Sequence, residues 1–254
     1  MSNVSSILGI EILSGGRIAA RSEIIHLLKS EKRSVIYTPN ASILALANKS
    51  RRFNEVLRSA TLLLPDGIGV VLASYASRSP IRERVTGIDT ARWLMKICAD
   101  RGLSVALIGG KEGVAERAAE SLRHQLPRLR IVFTHHGYFS RSHITDSENA
   151  AVISAIRAAA PDILFVGLGA PAQEAWIYKN ADKLPSVKLF MGLGGALDVW
   201  SGDVRRAPHA VQALGLEWLW RCIIEPKRFC RLAPIPSLYF KIIRDSLTRS
   251  KSRQ

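Results

Sequence analysis

Asp66 ends the apolar run "TLLLPDG" (61–67) and is followed at once by glycine, which puts a carboxylate at the mouth of a buried strand. Two readings stay open there. An aspartate before glycine can serve as an Asx turn or a helix N-cap. A carboxylate at a strand mouth can instead act as a general base, worth roughly 10²–10⁴-fold in rate. Thr38 and Asn40 hold the equivalent position in "YTPNASIL". Asn40 or Ser42 can cap the helix that follows, and Thr38 and Asn40 can equally hydrogen-bond a sugar hydroxyl or an amide. In "RVTGID", Arg84 and Asp89 read either as a solvated pair of little energetic weight or as a site where Arg84 holds a diphosphate.

Other motifs are less specific. "GLGAPA" (167–172) formally matches the dinucleotide pattern GxGxxA, but a proline stands inside it and no acidic residue ends a strand at the required distance. Gln173 and Glu174 follow directly, polar groups at a helix start that suit a nucleotide base or sugar as well as a cap. His135 and His136 are adjacent, and consecutive strand residues point to opposite faces, so a packing or turn role is expected rather than shared metal ligation. No Asp-x-Asp triplet occurs, so the usual acidic clamp for a divalent cation on a nucleotide is missing. Neither a cofactor nor a metal is expected.

Six β-branched or aliphatic runs can position these groups: "SVIYTPN", "TLLLPDG", "SVALIGG", "RIVFTHHGYF", "DILFVGLGAP" and "KLFMGLGG". A glycine- or proline-marked turn and an alanine- and leucine-rich amphipathic segment follow in turn. That rhythm predicts an α/β fold, a Rossmann-like mainly parallel sheet with helices on both faces. Ligands of such sheets bind beyond the carboxyl ends of the strands, which singles out loops 38–40, 65–67, 109–110, 167–174 and 192–195 as one expected rim. After Gly195, Pro208, Pro226, Pro234 and Pro236 cut the chain into pieces that read as helices of two to four turns, with no strand. The expected organisation is an α/β core over 1–200 and a helical basic appendage over 201–254.

The chain has 254 residues, a formal charge of +15 and a pI near 10.3. Residues 201–254 hold eleven Lys/Arg against four Asp/Glu. This excess favours a polyanion, an anionic membrane surface or a phosphorylated substrate. Trp218 and Trp220 stand beside Arg221, Lys227, Arg228 and Arg231, a mixture that also suits a phosphate backbone, so a nucleic-acid-binding protein is the alternative. Against it, no recognised nucleic-acid motif is present and the loop rim implies a small-molecule pocket. Cys98, Cys222 and Cys230 form no CxxC pair or zinc-ligand spacing, which points to a reducing compartment. No apolar run approaches the roughly 18–20 residues of a membrane span, and the start lacks the features of a signal peptide. A cytoplasmic, surface-bound protein is expected.

Taken in order, "TPNASILALANKS", "LLLPDGIGVVLAS", "RVTGID", "LIGGKEGVAERAAESL", "PDILFVGLGAPAQEAWI" and "GLGGALDVWSGDVRRAPHAVQALGLEWLWRCIIEPKRFCRL" resemble the WecG/TagA/CpsF family of bacterial glycosyltransferases. "RRAP" followed by "GLEWLWR" and "EPKRF" is the most specific part. The resemblance implies an inverting, metal-independent enzyme. It would move a sugar from UDP-N-acetylmannosamine, UDP-glucose or a similar donor onto a saccharide carried on undecaprenyl diphosphate, in teichoic acid or other surface-polysaccharide synthesis. The place of action it implies is the inner face of the cell membrane, on an anionic surface; no nucleic acid partner is implied, and a homo-oligomer is compatible with it. By position, Asp66 resembles the family's catalytic base and Thr38 the group that positions substrate. Asn40, Arg84, Gly109 and Gln173 match substrate-binding positions, and Arg221, Arg228 and Arg231 match appendage arginines that fold over the site and hold the diphosphate. A cysteine that some members carry near the third strand is replaced here by "IGGKEG", which removes any thiol role there.

Overall fold

The computed structural model describes residues 4–139 and 147–251; the side chains of Arg231 and residues 249–251 lie outside that description. In chain order the elements are β1 (Val4–Ile7), β2 (Ile10–Leu13), α1 (Gly16–Lys29), β3 (Ser34–Tyr37), α2 (Ala41–Lys49), α3 (Arg51–Arg58), β4 (Leu62–Leu63) and α4 (Ile68–Ala76). Next come α5 (Gly87–Arg101), β5 (Ser104–Gly109), α6 (Val114–Gln125), β6 (Arg130–His135), α7 (Ser147–Ala159), β7 (Ile163–Gly167), α8 (Ala172–Asn180) and β8 (Leu189–Gly192). The remainder is helical: α9 (Ala196–Trp200), α10 (His209–Ala213), α11 (Glu217–Ile224) and α12 (Ile235–Lys251), with 3₁₀ turns at Ala181–Lys183 and Pro226–Arg231. The fold is the expected Rossmann-like α/β class, and each of the six apolar runs forms a strand.

Two compact units divide the chain: Met1–Glu23, Thr38–Thr86 and Arg206–Gln254 form one, Ile24–Tyr37 and Gly87–Arg205 the other. In the second unit five parallel strands lie in the order β3, β8, β7, β5, β6. Every residue of β5 and β8 is buried, the mark of strands covered on both faces. The carboxyl ends of β5, β7 and β8 then share one edge. There Gly110 N–H donates to Gly167 O (3.4 Å) and Leu193 N–H to Val166 O (2.7 Å).

A polar cluster lies under this edge. Gln173 is 2% exposed and Glu174 fully buried, both in the first turn of α8. Gln173 Nε2 donates to Glu174 Oε1 at 2.8 Å, Gly194 N–H donates to Gln173 Oε1 at 2.9 Å, and Tyr37 Oη donates to Glu174 O at 3.1 Å. Glu174 Oε2 has no hydrogen-bond partner. Burial, only partly offset by Gln173, raises the Glu174 pKa, because a charged carboxylate is poorly tolerated there.

The first unit opens with the β1–β2 hairpin, an element the strand-and-helix rhythm did not foretell. Its turn is Leu8–Gly9, both with positive φ (51° and 78°), the conformation a two-residue hairpin turn requires. In α12 the run reaches 17 residues, longer than the expected two to four turns, because Pro234 and Pro236 fall before and in its first turn, where proline is tolerated. Leu238 and Ile242 are buried as α12 packs on α2 and α4. Such burial stabilises by about 1.5–3 kcal/mol per side chain. At the same contact Tyr239 Oη donates to Gly69 O at 2.6 Å. Gly69 is needed because a Cβ there would lie 2.8 Å from the Ala41 Cβ, so α2 and α4 approach nearly backbone to backbone.

Two stability measurements follow from these contacts. Tyr239→Phe removes the bond to Gly69 and should cost about 1 kcal/mol, lowering Tm by about 2–4 °C. For Glu174 the folded-state pKa is raised, so its contribution is complete below its ordinary value of 4.5 and is lost as pH rises through the folded value. Urea titrations across acidic to neutral pH should therefore show Glu174→Gln gaining on wild type as pH rises; parallel curves would contradict a raised folded pKa.

Candidate active site

The turn after β4 is where the first unit gathers its chemistry. Asp66 N–H donates to Pro39 O at 3.0 Å, and Val85 N–H donates to Pro65 O at 2.8 Å. Three sequence segments, 38–40, 65–67 and 84–86, are thus joined through their backbones. Thr38 is buried, Asp66 half-buried and Asn40 exposed. Of the two capping candidates, Asn40 takes the role: its Oδ1 accepts from Ile43 N–H at 3.1 Å at the start of α2. Gly67 has φ 95° and precedes α4, so glycine at this position lets the chain turn immediately after Asp66. Asp66 is therefore neither the N-cap of α4 nor buried in the core; it stands one residue before the cap.

Arg84 extends from the third segment into the C-terminal region. Its Nη1 donates to Glu217 Oε2 at 2.7 Å, and its Nη2 donates to the carbonyl of Gln212. The other oxygen of Glu217 accepts from Arg206 Nε at 3.2 Å. Each of these three side chains is between a fifth and a quarter exposed. Arg84 is therefore not the partner of Asp89 in a solvated pair; its counter-ion lies 133 residues along the chain.

A similar arrangement follows α11. Arg228 Nε donates to Glu225 Oε2 at 2.7 Å, and Arg221 Nη2 forms an ion pair with Glu225 Oε1 at 2.9 Å. Burial alone would raise the Glu225 pKa, but Arg228 and Arg221 outweigh it and hold the carboxyl below its ordinary range. Pro226 ends α11 and opens the 3₁₀ turn, so Arg221 and Arg228 do not share one helix face. The turn back, not helical phase, brings them to one carboxylate. The side chain of Arg231 lies outside the described residues.

Gly109 and Gln173 belong to the second unit. Gly109 has φ 144°, and a Cβ there would lie 2.4 Å from Gly167 O. Gly137 would likewise bring a Cβ to 2.9 Å from the Leu168 side chain. The ends of β5, β6 and β7 therefore meet almost as bare backbone. Gln173 does not project from the helix start; its amide is engaged with Glu174 and Gly194. His135 stacks on Phe133, meets Phe139 edge-on, and its Nδ1 lies 2.7 Å from His136 O, while His136 Nδ1 accepts from Tyr138 N–H. That is the turn and packing role expected of the pair. Among the described residues no group of three or more His, Cys, Asp or Glu is placed to hold a metal ion.

Sequence reasoning missed Arg206, Glu217 and Glu225. "RRAP", "GLEWLWR" and "EPKRF" contained them, but the basic excess drew attention to the arginines rather than to the carboxylates between them.

Comparison with known proteins matches this arrangement to one family. The model described as "Glycosyl transferase WecG/TagA/CpsF family" matches residues 5–252. An N-acetylglucosaminyldiphosphoundecaprenol N-acetyl-beta-D-mannosaminyltransferase of Staphylococcus aureus strain MRSA252 is 34% identical over 214 residues, 84% of this chain and 81% of the relative. The protein of the same name from strain NCTC 8325 / PS 47 gives the same figures, and that from strain MW2 is 33% identical over the same length. A match over nearly the whole chain, running through the Asp66 turn and both arginine-rich segments, means that this protein is a glycosyltransferase and belongs to the WecG/TagA/CpsF family.

Proposed function

We propose that the protein transfers N-acetylmannosamine from its UDP derivative to N-acetylglucosamine carried on undecaprenyl diphosphate, with inversion and without a metal ion. The names of the relatives support the sugar and the acceptor. The observation that carries the mechanism is the backbone joining of the Asp66 turn to segments 38–40 and 84–86, with Arg84 held against Glu217.

In this reading an acceptor hydroxyl attacks the anomeric carbon as the bond from that carbon to the diphosphate oxygen breaks. UDP leaves with the electron pair, and the acceptor proton passes to the Asp66 carboxylate. Thr38 and the NH₂ end of Asn40 hold substrate polar groups, since the Asn40 oxygen is already used as a cap. The growing diphosphate charge is met by Arg84, Arg221, Arg228 and Arg231, whose planar forks suit phosphate oxygens. Residues 201–254 thus complete the site, as the Arg84–Glu217 bond suggests. In the second unit, Gly109 serves substrate binding by leaving its strand end free of a Cβ, and Gln173 does so by holding the Gly194 turn through its hydrogen bond.

The same region supports peripheral attachment to the inner membrane face. Among the described residues no helix is long and apolar enough to cross a membrane. On α12, however, Phe240 (71% exposed), Ile243 (50%) and Leu247 (56%) line one side of the helix at intervals of three and four, opposite the buried Leu238 and Ile242. Trp218, Ile223 and Phe229 are also exposed. Apolar side chains among Lys and Arg suit an interface with anionic lipids.

Asp66→Asn should lower UDP release with a lipid-diphosphate-N-acetylglucosamine acceptor by roughly 10²–10⁴-fold while donor affinity stays within a few-fold. Near-normal turnover would overturn the base assignment. Wild type should run at an unchanged rate in a chelator, and a panel including UDP-glucose tests the donor. Replacing Phe240, Ile243 and Leu247 together by serine should cut partition onto anionic vesicles by roughly tenfold or more. Activity on a water-soluble acceptor should remain; unchanged vesicle binding would remove α12 from the docking surface.

A further inference from the structure

A cavity of about 530 Å³ lies within the first unit, lined by the β1–β2 hairpin, α2, α3 and α12. Its floor is apolar: Ile7, Ile10, Leu44, Ala47 and Leu238 line it and are buried. Its outer wall is cationic, formed by the exposed Lys49, Arg51 and Arg58 and the half-buried Lys241. Glu55 is the one carboxylate among the described residues that line it, and Arg51 Nε already holds it at 3.1 Å. Lys241 Nζ donates to Asn48 Oδ1 at 2.7 Å, an uncharged acceptor. Lys49 and Arg58 face no carboxylate among the described residues. Each stands in the last turn of its helix, where the dipole offers only about half a charge. Three of these four cations belong to α2 and α3, outside the C-terminal region where the basic excess of the sequence is concentrated.

An apolar floor beneath a cationic rim discriminates among anions. Inorganic phosphate can meet the rim but leaves the floor against water. A phospholipid headgroup brings a phosphate to the rim, and its glycerol and first methylene carbons cover the floor. The cavity also borders the exposed apolar side of α12. Lys241 follows Phe240 directly, about 100° around the helix, and the exposed Arg244, four residues from Phe240 and three from Lys241, lies beside both. We propose that this cavity binds the headgroup of an anionic phospholipid, with the phosphate held by Lys49, Arg58 and Lys241 and the glycerol end on the apolar floor. This rests on the reading above in which α12 lies on an anionic membrane, and it divides the work there. The stripe of Phe240, Ile243 and Leu247 attaches the protein to any bilayer, while the cavity selects a negative headgroup and fixes the rotation of α12 in the interface.

Binding of short-chain phosphatidylglycerol, kept below the concentration at which it forms micelles, is measured by calorimetry on the full-length protein, beside inorganic phosphate and short-chain phosphatidylcholine. Wild type should bind phosphatidylglycerol about tenfold or more tightly than either of the others. Lys49→Gln/Arg58→Gln/Lys241→Gln should lose about tenfold or more of that affinity. Lys29→Gln/Lys96→Gln/Arg101→Gln removes the same charge from the second unit and should stay within about twofold of wild type, since long-range charge is screened. Equal losses in the two triple variants, or no saturable binding by wild type, overturn the site. Inorganic phosphate bound as tightly as the lipid overturns the role of the floor, and phosphatidylcholine bound as tightly overturns the selection by charge. If the cavity triple does not fold, Lys49→Gln/Arg58→Gln, confined to exposed side chains, decides the matter. The variant with serine at 240, 243 and 247 alters no residue that lines the cavity and should keep its affinity for the soluble lipid while losing vesicle partition. Failure of the cavity and failure of membrane docking by α12 are thereby told apart.

Discussion

The hydrogen bonds from Asp66 N–H to Pro39 O and from Val85 N–H to Pro65 O are the constraint on which the candidate site depends. The first joins two turns where a strand has finished and a helix has not begun, and the second ties the same place to the connection between α4 and α5. Backbone polar groups in half-buried turns must be paired, and here they pair with one another rather than with water. The consequence is that Thr38, Asn40, Asp66 and Arg84 are carried on segments tied together by main-chain bonds, to which the Asn40 side chain adds a helix cap and the Arg84 side chain an ion pair. The close approach of α2 and α4 at Ala41 and Gly69 holds the same arrangement from beneath, and Tyr239 ties α12 to it.

Charge is organised on the same principle of pairing before use. Arginines that a sequence presents as an undivided basic field are grouped around two carboxylates, Glu217 and Glu225. In each group one carboxylate is shared by two guanidiniums, so that each arginine keeps a defined direction. A geometry set in this way does not have to be created when a ligand arrives.

The second unit meets a different constraint. At the ends of β5 and β7 the chain at Gly109 approaches the Gly167 backbone so closely that a methyl group would overlap it, and Gly137 and Gly167 are only slightly less crowded. Beneath them Gln173 and Glu174 are buried with one carboxyl oxygen unpaired, a strained placement that makes sense as the support of the Gly194 turn. The sequence shows two polar residues at a helix start that suit a nucleotide base or sugar as well as a cap, with no sign of how deeply they lie. Both are buried in the fold, which periodicity along one helix cannot reveal.

The six strands, their parallel class and the helical C-terminal region were legible because hydrophobic periodicity and proline and glycine punctuation are local properties. Asp66, Thr38, Asn40 and Arg84 were legible as chemistry-bearing residues at strand mouths, and the family through its motifs. The β1–β2 hairpin escaped notice because its two short strands are read only once Leu8–Gly9 is recognised as a turn. Partnership was not legible at all. That Arg84 pairs with Glu217 rather than Asp89, and that Arg221 and Arg228 share Glu225 across a proline break, depends on contacts between distant or bent segments. The sequence by itself determined which groups are available and on which kind of element each stands, since both follow from residues within a few positions. Only the tertiary structure decided which charges face each other and which polar groups are buried, because those depend on distances that chain order does not encode.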